Sequence, residues 1–123
     1  MPVPHLDHIV VATTDLPTTV AQFEAATGIR PEPGGVHPDH GTRNSLVSLG
    51  NGAYLELIGI DPELPPPPGD ERGFDLHLVT RPKVATWAVH PPDPEASIKK
   101  AAARNLDLGA SVQALVVALR ATC

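Results

Sequence analysis

Residues 6–16, LDHIVVATTDL, join a strand pattern directly to the start of a helix. The first eight of them are rich in Ile and Val and alternate loosely, which predicts a β-strand over 6–13. Asp15 follows as a helix N-cap, and Pro17 fits the first helical turn, where no N–H is needed. The helical pattern ends at Gly28, a typical C-cap residue. The stretch therefore predicts a strand followed at once by a helix.

A hairpin completes the first part of the chain. Two apolar runs, TRNSLVSL at 42–49 and AYLELIGI at 53–60, are separated by the tight-turn sequence GNG. A short strand is expected near 29–32, and the PEPGG sequence should break it. Residues 1–60 are therefore predicted to form one β-α-β-β-β module.

Proline-rich residues follow this module. Residues 61–73 contain four consecutive prolines, which favour polyproline II and cannot enter a sheet interior, so we expect an exposed and mobile linker. Residues 74–109 then repeat the order of strand, Asp cap, proline and helix. Strands are expected at FDLHLVT and VATWAVH, and a helix is expected to begin after Asp93.

The last segment, residues 110–123, differs in character. It has no turn dipeptide, and its apolar residues have helical spacing, so we expect a short terminal helix. The predicted fold class is α+β, with a βαβββ module followed by an incomplete second module at 74–109.

Composition excludes several classes of partner. The 123 residues carry a net charge of −5, so neither nucleic acid nor an anionic membrane is an expected partner. No apolar run approaches the roughly 20 residues that span a bilayer, and the N-terminal residues do not resemble a signal peptide. The single cysteine, Cys123, allows no intrachain disulfide, which favours a cytoplasmic location.

Two residues are unusual for their surroundings. His8 and Glu56 lie near the centres of predicted strands between apolar neighbours, where a carboxylate is costly unless it is paired or bound to metal. Imidazole and carboxylate both bind Zn, Fe, Ni or Mn. Two alternatives remain open: both side chains face solvent, or they hydrogen-bond to each other. The strand period places Tyr54 on the same face as Glu56.

Three further residues are candidates for a site. His40, in the Gly- and Pro-rich segment 34–44, is either a catalytic base or a solvated loop residue. Asn44 is either a donor to a substrate oxygen or a structural residue of a turn. Trp87, the only tryptophan, is either a core residue or a stacking surface for a ligand.

Longer stretches of the chain carry a family resemblance. They include LDHIVVATTDL, ATWAVHPPDPEASIKKAAARNLDLGA and, most specifically, HGTRN followed by LGNGAYLELI. Over roughly residues 4–109 the chain resembles the glyoxalase-like domain family of the vicinal oxygen chelate superfamily. The resemblance implies paired βαβββ modules around a cleft, which in metal-using members holds a divalent ion. His8 matches the first-strand ligand of this family, and Glu56 matches the last-strand ligand of the first module.

The resemblance implies a metal-dependent lyase, isomerase or dioxygenase that acts on a small oxygenated substrate. His8 and Glu56 would hold a divalent metal ion, of unspecified identity, that acts as a Lewis acid. His40 or Asn44 would orient the substrate or transfer a proton. The alternatives are a metal-free binding protein of the same fold and an inactive truncated fragment.

The resemblance also bears on the pocket and on assembly. Tyr54 and Trp87 are expected to line the substrate pocket. In the second module, Thr86 or Trp87 stands where metal-using relatives place a metal ligand. One chain therefore offers only two metal ligands, His8 and Glu56. An incomplete second module leaves a sheet edge and an apolar face that favour association. We therefore expect either a homodimer in which two chains together supply four ligands or a poorly soluble monomer.

Overall fold

The computed structural model describes residues 5–70, 73–74, 76–107 and 117–120. In this part of the chain, six strands form one sheet in the order β2-β3-β4-β1-β5-β6, accompanied by two α-helices. The elements are β1 (His5–Thr13), α1 (Leu16–Thr27), β2 (Glu32–His37), β3 (Thr42–Gly50), β4 (Ala53–Ile60), β5 (Lys83–His90), α2 (Pro94–Ala102) and β6 (Val117–Arg120). None of the described helices has the length and apolar character needed to cross a membrane.

Local sequence signals determine the β1–α1 unit. The Asp15 side chain accepts a hydrogen bond from the Thr18 backbone N–H at 3.1 Å and so caps the helix. Gly28 ends α1 in the left-handed conformation at φ 75°, and its N–H donates to the Glu24 carbonyl oxygen at 2.8 Å. The predicted strand, cap, helix and C-cap are confirmed.

The first module has the predicted β-α-β-β-β order. β3 and β4 form the expected antiparallel hairpin, and β1 pairs with β4 in parallel. On its other side β1 pairs with β5 antiparallel. β1 is therefore hydrogen-bonded along both edges, and it joins the first module to the strand that follows the proline-rich linker. Residues 62–69 of that linker are exposed or half-buried, and their mobility stays a prediction.

Two predicted strands were wrong. The expected strand near 29–32 lies instead at Glu32–His37 and runs through the glycines, because a strand at the sheet edge tolerates proline and a bulge. The described residues of FDLHLVT, which exclude residue 75, do not form the expected strand, since Leu76–Leu78 form a 3₁₀ turn. Its period of three places Leu76 and Val79 on one side, where both are buried.

The predicted terminal helix was also wrong over residues 117–120, the part of it that the structure describes. Val117–Arg120 form β6, which pairs with β5 antiparallel. The edge of β5 offers backbone N–H and C=O groups for pairing. The hydrogen bonds that β6 forms with this edge outweigh the weak helical preference of its sequence. The rest of the predicted helix, 110–116 and 121–123, lies outside the described residues.

One face of the sheet, here called the cleft face, carries the candidate residues. It is defined by the cross-strand pairs His8 with Tyr54, Val10 with Glu56 and Ala12 with Ile58. At one end of this face Val10, Ala12 and Ile58 pack against Leu76 and Val79. Helix α1 packs on the opposite face, against β4 and β3. The cleft face is therefore covered at its Ile58 end, whereas the end with His8 and Glu56 remains half-buried.

Candidate functional site

His8 and Glu56 approach each other at the half-buried end of the cleft face. His8 Nε2 lies 3.9 Å from Glu56 Oε1, and the two side chains are 18% and 13% exposed. The predicted common face and close approach are confirmed. The distance is too long for a hydrogen bond, so the two groups do not simply satisfy each other. Their role as metal ligands stays a prediction.

The imidazole of His8 is fixed on two sides. Its Nδ1 lies 2.6 Å from Asp7 Oδ1. Its ring stacks on the Tyr54 ring, with a centroid distance of 4.8 Å and an interplanar angle of 7°. A charged hydrogen bond together with a parallel ring contact leaves the imidazole little freedom to rotate. The Nε2 atom is therefore held toward Glu56.

The carboxylate of Glu56 is fixed by Asn44. The Asn44 side-chain N–H donates to Glu56 Oε2 at 2.8 Å, and Asn44 Oδ1 accepts from the Gly35 backbone N–H at 2.7 Å. The Gly35 donor determines which way the amide points. Asn44 thus orients Glu56 through one oxygen and leaves Oε1 facing His8. Its predicted contact with a substrate stays untested.

A bulge in β2 makes room for the Asn44 amide. The register of β2 against β3 shifts between Pro33 and Val36, at the two glycines. A Cβ atom on Gly34 would overlap Asn44 Oδ1 and lie 3.0 Å from Asn44 Cγ. Any larger residue at Gly34 would therefore displace the group that holds Glu56.

Tyr54 contributes a neutral phenol to this site. Its pKa is raised above the ordinary value of 10.0, first by burial and then by the negative charges of Glu56 and Asp7. The hydroxyl therefore keeps its proton at neutral pH and can donate a hydrogen bond. The structure brings Tyr54 against His8, and its place in a substrate pocket stays a prediction.

Two other predicted residues do not join this cluster. His40 is exposed in the turn beyond the Thr42–Ile60 pair. Ile60 is four strand positions from Glu56, about 13 Å at a rise of about 3.3 Å per residue. Trp87 pairs with Ile9, and the side chain of Ile9 points to the face opposite that of His8. Trp87 therefore lies on the face opposite the cleft face, where it is 36% exposed.

Sequence reasoning missed Asp7 and the residues that surround it. Asp7 Oδ2 lies 3.4 Å from His90 Nδ1, and the His90 ring stacks on His5 with a centroid distance of 5.1 Å. Strand alternation places Asp7 on the face opposite His8, so no sequence signal pointed to this contact. The adjacency of Asp7 and His8 was visible, but its meaning depends on the pairing of β1 with β5.

The donor atoms partly fit a divalent cation. Metal bonds from imidazole nitrogen and carboxylate oxygen are about 2.0–2.2 Å long, so one ion can span the gap between His8 and Glu56 after a small adjustment. His8 bonded through Nδ1 to a carboxylate is the usual arrangement behind a metal-binding Nε2. The described residues contain no group of three or more His, Cys, Asp or Glu side chains suited to hold a metal. The part of the chain that the structure describes therefore offers two ligands.

An open hollow lies away from this pair. Its volume is about 510 Å³, and it is lined by His5, Leu6, Leu49, Gly50, Asn51 and Ala53. Neither His8 nor Glu56 lines it, so the chemistry of the cluster does not bear on it. We regard the His8–Glu56 cluster as the candidate site because the polar groups converge there.

Comparison with known proteins gives one family and several related structures, among them structures of methylmalonyl-CoA epimerases. The chain superposes on methylmalonyl-CoA epimerase from Mycobacterium tuberculosis with a TM-score of 0.58 and 20% identity, covering 81% of this chain and 63% of that one. The chain thus spans less than two thirds of that epimerase. A methylmalonyl-CoA epimerase in complex with methylmalonyl-CoA and NH4+ gives a TM-score of 0.63 and 19% identity, covering 98% and 86%. The Streptomyces coelicolor enzyme in complex with 2-nitronate-propionyl-CoA gives a TM-score of 0.64 and 17% identity, again covering 98% of this chain and 86% of that one.

These identities show a shared fold and no more. None of the curated proteins matches the sequence significantly. The model of the glyoxalase-like domain matches residues 6–119, nearly the whole chain. The chain therefore belongs to the glyoxalase-like domain family.

Proposed function

We propose that the chain is a metal-dependent isomerase that moves a proton at a carbon next to a carbonyl group of a small oxygenated substrate. The observation that carries the proposal is the 3.9 Å gap between His8 Nε2 and Glu56 Oε1, two ligand atoms that face each other without a hydrogen bond. Each ligand is anchored from behind, His8 by Asp7 and Glu56 by Asn44. Such anchoring is typical of residues that bind a metal.

A divalent ion held by His8 and Glu56 would supply Lewis-acid stabilisation of negative charge on the substrate oxygens. The side chains of the chain itself prepare the site. Asn44 holds Glu56 Oε2, so the carboxylate presents Oε1 to the cleft. Tyr54 forms a flat wall beside His8 and keeps its hydroxyl proton, so it is suited to donate to a substrate oxygen. His40 has no part in this proposal because it lies in the turn beyond the Thr42–Ile60 pair, and Ile60 is already about 13 Å along the strand from Glu56.

The choice of isomerase over lyase or dioxygenase is supported by the structural neighbours. The solved structures with this fold include methylmalonyl-CoA epimerases in complex with methylmalonyl-CoA or 2-nitronate-propionyl-CoA. Epimerisation next to a thioester carbonyl requires removal and return of a proton, with negative charge on the carbonyl oxygen between the two steps. An acyl thioester is therefore the first substrate class to test.

A metal-free binding protein of the same fold is the second candidate. It is favoured by the presence of only two suitable ligands in the described part of the chain, where a closed metal site needs about four. In that case Tyr54 and His8 would form a stacked aromatic platform for a small ligand. Saturable binding of a ligand without any metal would support this reading.

A homodimer is the proposed source of the missing ligands. β1 is already paired with both β4 and β5, so a second chain cannot add to its edge. A partner would instead approach the half-buried end of the cleft face, where His8 and Glu56 lie. Two chains arranged about a two-fold axis would then contribute two ligands each.

Exchange of the substrate proton tests the proposed reaction. The chain, with and without added Mn²⁺, Ni²⁺ or Zn²⁺, is incubated with methylmalonyl-CoA in D₂O, and deuterium at the carbon next to the thioester is followed by proton NMR. We expect metal-dependent exchange that falls by more than about 100-fold in Glu56→Gln, since a direct ligand matters at least as much as the residues behind it. Glu63→Gln, the same change at an exposed linker residue, is the control. Exchange that Glu56→Gln leaves intact, or no exchange with any metal, would contradict the proposal.

A further inference from the structure

Asp7 occupies an unexpected side of its strand. Consecutive residues of a strand point to opposite faces, yet Asp7 Oδ1 lies 2.6 Å from Nδ1 of the adjacent His8. The pairing of β1 with β5 explains this contact. The register passes from Leu6 opposite Val89 to His8 opposite Ala88, so Asp7 is the extra residue of a β-bulge. A bulge redirects the side chain of the strand that contains it.

The bulge brings β5 into the surroundings of the candidate site. The second oxygen of Asp7 lies 3.4 Å from Nδ1 of His90, the last residue of β5. The His90 ring in turn stacks on His5 at the start of β1, with an interplanar angle of 14°. Asp7 is 19% exposed, and it contacts one imidazole on its own strand and one on the neighbouring strand. Its position is thus set from two sides.

The contact at Nδ1 has a consequence for the far side of the His8 ring. A carboxylate only accepts hydrogen bonds, so the proton of the neutral imidazole must lie on Nδ1. The lone pair then lies on Nε2, the atom that faces Glu56 Oε1 at 3.9 Å. With the proton on Nε2 instead, the ring could donate to Glu56 and could not bind a cation there.

We propose that Asp7 is a positioning residue that holds His8 in the tautomer protonated at Nδ1, an inference that rests on the proposed role of His8 in the site. Asp7 itself touches neither substrate nor metal. It acts through His8, and the β1–β5 bulge places it there. The pairing of β1 with β5 therefore determines which ring nitrogen of His8 carries the proton.

The tautomer can be measured directly on the metal-free protein. Nitrogen-15 NMR of the labelled histidine rings at about pH 8, where an ordinary imidazole is neutral, distinguishes a protonated Nδ1 from a protonated Nε2. His8→Ala assigns the signal. We expect Nδ1–H in the wild-type chain and a change to Nε2–H in Asp7→Asn, because the amide can donate to Nδ1 where the carboxylate cannot. Zn²⁺ binding should weaken by about 10- to 100-fold in that variant.

Asp39→Asn is the matched control, since it removes the same charge from an exposed turn residue. It should leave both the tautomer and Zn²⁺ affinity unchanged. The inference is overturned if wild-type His8 carries its proton on Nε2, or if Asp7→Asn keeps the Nδ1–H form. Should Asp7→Asn fail to fold, the wild-type tautomer alone decides. A wild-type chain with the expected tautomer that binds none of Zn²⁺, Fe²⁺, Ni²⁺ and Mn²⁺ would support the role of Asp7 and contradict the proposed function.

Discussion

Gly34 and Gly35 are adjacent glycines in β2, yet the structure predicts opposite effects of the same substitution. A Cβ atom on Gly34 would overlap Asn44 Oδ1 and lie 3.3 Å from Leu46 Cγ, whereas one on Gly35 would meet nothing within 4 Å. Neither glycine has a positive φ, so alanine fits the backbone at both positions. Gly34→Ala should therefore act mainly through displacement of Asn44, with a smaller adjustment of Leu46.

The cost of this displacement follows from the two hydrogen bonds of Asn44. The bond to the Glu56 carboxylate contributes about 1.5–3 kcal/mol, and the bond from Gly35 about 0.5–1.5 kcal/mol, less where water can replace it. Gly34→Ala should therefore lower the free energy of unfolding by about 2–4 kcal/mol. Gly35→Ala should leave it unchanged or raise it by up to about 1 kcal/mol, because alanine restricts the unfolded chain.

Urea denaturation of the two variants measures both effects. The double variant Gly34→Ala/Asn44→Ala should match Asn44→Ala within about 1 kcal/mol, because the clash disappears with the amide and alanine itself adds only its effect on the unfolded chain. The reasoning is refuted if Gly34→Ala is as stable as the wild type, or if Gly35→Ala loses as much stability as Gly34→Ala. It is also refuted if the two losses simply add in the double variant.

Three further predictions concern the core, the phenol and the assembly. Leu76→Ala should lower the free energy of unfolding by about 2–5 kcal/mol, since Leu76 is fully buried on the cleft face. Leu78→Ala, at a residue that is 69% exposed, should change this free energy by less than about 0.5 kcal/mol. Equal losses of stability in urea denaturation of the two variants would contradict the described 3₁₀ turn. The single tyrosine, Tyr54, should form tyrosinate at higher pH in the folded chain than in urea. Its raised pKa favours the folded state below about pH 10, and this stabilisation is lost as the pH rises through the pKa of the folded state. Tyr54→Phe should lack this pH-dependent loss of stability. Tyrosinate absorbance with the same midpoint in the folded chain and in urea would contradict the raised pKa. Sedimentation at several protein concentrations should show a homodimer, and a monomer that binds a divalent metal tightly at micromolar protein would refute the shared site.

The parts of the fold with local signals were predictable from the sequence. Asp15, Pro17 and Gly28 specify the ends of α1 through their own backbone preferences and caps. The GNG turn sets the β3–β4 hairpin. His8 and Glu56 could be placed on one face because strand period and the first-module order together leave little choice.

The remaining parts depend on contacts between distant residues. Asp7 turns toward His8 because β5, about eighty residues later, pairs with β1 through a bulge. β2 includes Pro33 because it lies at the sheet edge, where no neighbour needs the missing N–H. Trp87 lies opposite the candidate site because its register against Ile9 sets its face. None of these pairings is encoded within a short window of sequence.

Calorimetric titration of the wild-type chain with Zn²⁺, Fe²⁺, Ni²⁺ and Mn²⁺ tests the central claim most directly, namely that His8 and Glu56 bind a divalent ion. We expect saturable binding of at least one of these ions. Affinity should fall by more than about 100-fold in His8→Ala and in Glu56→Gln, while the exposed-site control Glu63→Gln binds like the wild type. No saturable binding of any of the four ions, or binding that both site variants retain, would contradict the account.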